Sequence, residues 1–232
     1  METRLAALAR EAGALVLESD PTSAMVRTGS GAVVEIAADL AHVVPPGARA
    51  AVVGELWPRG RWAMTFRGRP GLRVTPMGAR NDPMLTYAMV ALAVAKQARL
   101  RSEHGVRASV VGQEVSAPDP DEPVETMSAV LDVRAPQVAV RDGLVDAIRT
   151  QGSQRAERDG TVFTLEDLDV SDLIPLDRSA CERLAVALAA PVVSTPAGDR
   201  AAAYARSGER VASLAMSEPD TELITAALAA LA

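Results

Sequence analysis

One lysine, one cysteine, two histidines and few aromatic residues stand in a chain of 232, and each shortage removes a kind of chemistry. Schiff-base catalysis needs a lysine amine, and the sole candidate, Lys96, falls on a predicted helix. The single cysteine, Cys181, excludes an internal disulfide and is compatible with a reducing compartment. The histidines His42 and His104 stand in neither an H-x-x-E-H nor an H-E-x-x-H spacing. A basic surplus is also missing, since 24 Lys and Arg face 30 Asp and Glu for a net charge of -6. That balance argues against nucleic acid as a partner. No apolar run reaches the roughly 20 residues that span a bilayer, and METRLAALAREAG lacks the apolar core of a signal peptide. The expectation is a cytoplasmic protein without a membrane partner. What is present, 48% apolar and 23% charged residues, suits one large or two small globular domains.

The middle of the chain has the clearest pattern. A strand at Arg61 to Arg67 leads through a Gly- and Pro-rich loop to a helix with Asp82 as cap and Pro83 at its first position. In that helix Leu85, Ala88, Met89, Leu92 and Ala95 recur at helical spacing, to about His104. Val106 to Val115 and Met127 to Ala135 read as strands around the acidic turn APDPDEP. Pro136 opens a second helix to about Arg158, striped by Leu144, Val145 and Ile148, and Thr161 to Leu165 supplies a fourth strand. The order β-α-β-β-α-β is ferredoxin-like. The flanks alternate strands and helices: helix at Thr3 to Glu11, strands near Ala14, Ala24, Val33 and Ala50, then helix from Asp177, strand at Pro191, helix around Ala201, strand at Arg210 and a last helix from Glu218. The predicted fold is α/β, a reduced layer from residues 1–54 and 171–232 with a ferredoxin-like domain, 55–170, inserted.

Several stretches, in order, resemble the zinc-dependent family of aminoacylases, N-carbamoyl-amino-acid hydrolases and allantoate amidohydrolases. Thr75, Pro76, Met77, Arg80 and Asp82 match its G-x-x-x-H-A-G-T-T-P-M-x-x-R-x-D loop, with Gly71 at the histidine position. VLDVRAP is similar to L-D-V-R-x-P, and the resemblance gives Arg134 the role of binding a substrate carboxylate. The preceding P-N-x-x-N becomes Pro118, Asp119, Pro120 and Asp121, so a donor amide gives way to a carboxylate that only accepts. AVVEIAADL is similar to V-E-L-H-I-E-Q-G with Ala37 at the metal histidine. TPAGDRAAAYARSG keeps Ala197 and Gly198 of G-A-G-H-D-A with Asp199 or a gap for the histidine, and MSEPD around Ser217 replaces the last ligand region. The family's N-terminal ligand segment finds no counterpart between Met1 and Gly31. A dinuclear zinc centre needs roughly three or four ligands per metal, so the resemblance is to a member that has lost its metal, and no cofactor is expected.

The resemblance implies a lid and dimerisation role for 55–170, hence a homodimer through it, and a small carboxylate ligand. Candidate ligand-binding residues are Arg134, Arg80, Asp121 and His42. Each has a structural alternative: Arg134 can pair with Asp132 on the same strand face, Arg80 can hold a loop carbonyl or Asp82, Asp119 and Asp121 can be a solvated turn, and His42 can be a surface or core residue. Cys181 reads as a small buried thiol on a helix. Two functions follow: a binding or partner protein without hydrolase activity, or a metal-independent enzyme performing cyclisation, elimination or amide formation on an amino-acid-like substrate.

Overall fold

The computed structural model describes residues 3–117, 119 and 122–232. Two compact units result, Met1–Trp57 with Leu173–Ala232, and Pro58–Asp172. The first opens with α1 (Arg4–Glu11), where the Thr3 hydroxyl accepts the amide of Ala6. Strands β1 (Leu15–Ser19), β2 (Ser23–Arg27) and β3 (Val33–Ala37) then form an antiparallel meander, and β4 (Ala50–Leu56) ends the first pass.

The second unit runs β5 (Arg59–Arg67), α2 (Pro83–Leu100), β6 (Arg107–Ser116), β7 (Thr126–Arg134), α3 (Val138–Asp159) and β8 (Val162–Ser171). Its antiparallel sheet has the order β6-β7-β5-β8, the ferredoxin-like arrangement read from the sequence. Period-two alternation drives one face into the core: Trp62, Met64 and Phe66 of β5 and Met127, Ala129, Leu131 and Val133 of β7 pack with Val90 and Val94 of α2 and Leu144, Val145 and Ile148 of α3. Phe66 stacks near Phe163 with ring centroids 5.0 Å apart. Gly152 lets α3 approach that ring, because a Cβ there would lie 2.3 Å from Phe163 Cε1.

Helix α2 differs from its expected reading in two ways. It stops at Leu100 and passes through a 3-10 turn, Ser102–His104, to left-handed Gly105. Its apolar periodicity also points outward: Leu85, Met89 and Leu92 are 44%, 44% and 65% exposed, while Pro83, Thr86, Val90 and Val94 face the sheet.

Returning to the first unit, the chain forms β9 (Ile174–Pro175), α4 (Arg178–Leu188), β10 (Val192–Thr195), α5 (Asp199–Arg206), β11 (Val211–Met216) and α6 (Thr221–Ala230). The sheet order is β1-β2-β3-β11-β4-β10, with β9 on β4. Strand β11 slots between β3 and β4, parallel to the former and antiparallel to the latter, so the two flanks build one layer. β3 and β11 are buried along their whole length, as central strands covered on both faces are. Helix α4 packs on β4 and α6, and α5 on β3 and β11. Asp177 caps α4 by accepting the Ala180 amide.

Candidate functional site

In the second unit, the sheet face turned away from α2 and α3 carries charge at one end. Register places Arg107, Arg134, Arg59 and Ser171 in one cross-strand row, and Ser109, Asp132, Arg61 and Asp169 in the next. Neighbours in such rows lie within reach of one another. Arg134 Nε donates to Asp132 Oδ1 at 2.9 Å and its Nη2 to Oδ2 at 3.2 Å, the two-pronged contact a guanidinium fork suits. Arg61 Nε reaches the same carboxylate at 3.1 Å, and Arg59 Nη2 lies 3.4 Å from Asp169. Burial alone would raise the Asp132 carboxyl, but the hydrogen bonds and charges of Arg134 and Arg61 outweigh it and hold the group below the usual carboxylate range. Arg141, almost fully buried on α3, steadies this end by donating to the carbonyls of Ser171 at 2.6 Å and Arg59 at 3.2 Å. The Ser171 hydroxyl has no hydrogen-bond partner among the described residues.

The structure therefore brings Arg134 and Asp132 together and adds Arg61 and Arg59 to them. Arg80 holds its own loop, with Nε on the Thr75 carbonyl at 2.7 Å and Nη2 on the Arg73 carbonyl. That matches the structural alternative read from the sequence. His42 belongs to the first unit, exposed on the 3-10 turn Ala41–Val43. Asp121 lies outside the described residues.

Sequence reasoning missed Glu35. It is 4% exposed on β3 and accepts the Ser213 hydroxyl of β11 at 2.8 Å. Burial, opposed by Ser213 and reinforced by Asp39, pushes its carboxyl up to about 7. One signal could have found it, a carboxylate inside the otherwise apolar run VVEIA.

A zinc centre does not fit this donor set. Ala37, at the position of a metal histidine in the resemblance, is fully buried between Ser23 and Ala215. Among the described residues no three His, Cys, Asp or Glu side chains converge as metal ligands. No helix among them is long and apolar enough to cross a membrane.

No family model matches the chain, and no curated protein matches it. Solved structures do. AtUAH in complex with (S)-hydroxyglycine superposes with a TM-score of 0.72 at 16% identity, over 85% of this chain and 51% of that one. A hydantoinase/carbamoylase family amidase from Burkholderia vietnamiensis gives 0.73 at 18% identity, over 85% and 52%. An aminobenzoyl-glutamate utilization protein from Klebsiella pneumoniae gives 0.52 at 12%, over 82% and 51%. The chain spans about half the length of the solved structures it matches, and at these identities the shared feature is the fold.

Proposed function

We propose that this chain is an amidohydrolase-like protein without zinc hydrolase activity, a pseudoenzyme or partner subunit that binds a small carboxylate-bearing, amino-acid-like ligand at the arginine cluster. The observation that carries the reading is the gathering of guanidinium groups at one end of the β5–β7 sheet face. Arg59, Arg61, Arg107 and Arg134 stand there against Asp132 and Asp169. Asp132 is shared between two arginines, and the Ser171 hydroxyl, which has no hydrogen-bond partner among the described residues, adds a further polar group. A ligand carboxylate complements both by charge-assisted hydrogen bonds.

Pairing of two copies through the second unit is part of this reading. Its support is the outward apolar stripe of α2 beside edge strand β6, whose outer backbone groups have no strand partner in this sheet.

The test is calorimetry with N-acetyl and N-carbamoyl amino acids on wild type and Arg134→Ala, with circular dichroism to confirm folding. Loss of a partly buried charged partner is expected to weaken binding about 30-fold or more. A ligand whose affinity changes by less than about twofold, roughly 0.4 kcal/mol, makes Arg134 structural and removes the proposal.

A further inference from the structure

The first unit carries a concave surface, independent of the arginine cluster and of the function proposed for it. A groove of about 570 Å³ opens between β4, β9, α4 and β10, within the roughly 300–1,000 Å³ typical of small-molecule sites. It lies toward the end of β4, whereas Ala37 stands in the row of Ala51 near the start of that strand.

A backbone irregularity shapes the groove. Strand β10 pairs Val193 with Val53 and then Ser194 with Glu55, so Gly54 is an extra residue on β4. Such a bulge re-aims the side chains around it. Gly54 and Glu55 both line the groove, while the next residue, Leu56, approaches Gly198. Gly54 leaves the floor bare, and a Cβ there would come within 2.7 Å of Val192 Cγ1.

The charges inside do not balance. Arg178 and Glu182 satisfy each other at the rim, 2.9 Å apart. Glu55 is half-buried, and its carboxylate makes no hydrogen bond or ion pair with any described residue. Cys181 adds no charge, since burial pushes its thiol up to about 11 and it points at the Val53 carbonyl at 3.4 Å. The walls of Leu176, Val192 and Val193 are apolar. An acidic ligand would meet repulsion from Glu55, and a neutral apolar one would strip water from that carboxylate without replacing it. An ammonium or guanidinium does neither.

We infer that this groove binds a small amphipathic cation, a primary ammonium or guanidinium on an apolar body, with Glu55 as its charge partner. Ser194 extends the polar side. Its hydroxyl oxygen accepts the Trp57 indole at 3.0 Å and retains a second lone pair for the cation.

The test compares 2-phenylethylammonium with 2-phenylethanol and 3-phenylpropanoate, which share its shape but not its charge. Titrations followed by amide shifts in the ¹⁵N-labelled full chain give both affinity and location. The ammonium is expected to bind wild type roughly tenfold or more tightly than either analogue, a difference of about 1.4 kcal/mol, with shifts at Gly54–Leu56 and Val192–Ser194. Glu55→Gln, near-isosteric and checked by its melting temperature, is expected to bring ammonium and alcohol within about twofold. Equal binding of ammonium and alcohol to wild type overturns the inference. So do a preference that survives Glu55→Gln, shifts confined to other regions, and no detectable binding at millimolar ligand.

Discussion

Replacing Glu35 with glutamine tests whether a buried carboxyl sets the pH response of the first unit. Burial is the largest influence on this group and raises it. The Ser213 hydroxyl opposes, Asp39 and Asp199 add to the rise, and Arg200 opposes, leaving the carboxyl at about 7 against an ordinary 4.5. At about 1.4 kcal/mol per pH unit, that displacement corresponds to about 3 kcal/mol. Between the two values the native state holds a proton that the unfolded chain has released. The contribution is therefore fully present below about pH 4.5 and is lost as pH rises through about 7. Glutamine keeps the shape and can still accept from Ser213, but it cannot ionise. Urea denaturation of both proteins, followed by circular dichroism from about pH 5 to about pH 8, should give a stability difference that grows with pH in favour of Glu35→Gln, toward about 3 kcal/mol. Ser213→Ala, which removes the donor that steadies the charged form, should enlarge the loss and extend it to higher pH. A difference between wild type and Glu35→Gln that stays constant across this range refutes the argument.

Elemental analysis of purified protein is expected to find no stoichiometric transition metal, and chelators should leave the melting temperature unchanged; one tightly held zinc per chain overturns this. Gly152→Ala drives a Cβ toward Phe163 and is expected to destabilise the protein by about 1–3 kcal/mol in spite of the better helix propensity of alanine; an unchanged or higher melting temperature contradicts the packing described. Light scattering should show a dimer that Leu92→Glu converts to monomer, because the substitution buries a charge in the proposed helix contact; a wild-type monomer at micromolar concentration removes the pairing.

The β-α-β-β-α-β order was legible because its signals are local: Asp82 and Pro83 start a helix, and Met127 to Val133 alternate with Ser128 to Arg134. Which face of α2 is buried was not. Leu85, Met89 and Leu92 repeat as well as any core stripe, yet the sheet is met by Val90, Val94 and Thr86, the last held by Asp159 and Thr161 at 2.9 Å each. Periodicity reports a helix and cannot say what lies against each side. The Arg134 to Asp132 pair could be anticipated, since both fall on one strand face two residues apart. The additions of Arg61 and Arg59 depend on cross-strand register, and the aim of Glu55 depends on a bulge. Neither is written in local sequence.

Stability and chemistry have separate addresses in this fold, and Ala37 shows how. Around it runs a cross-strand row of small residues, Ser23, Ala37, Ala215 and Ala51, each at most 4% exposed. Arg200 of α5 closes over the row by donating to the Ser23 hydroxyl at 2.6 Å and pairing with Asp20. A ligating imidazole at residue 37 would have to displace that packing, because close-packed interiors do not absorb added volume without strain. The sheet instead draws its stability from the apolar strands on either side of the row. A position where the resemblance calls for a metal ligand is here a core contact, so the layer persists without the donor atoms, and the carboxylate that lines its groove, Glu55, lies elsewhere on β4.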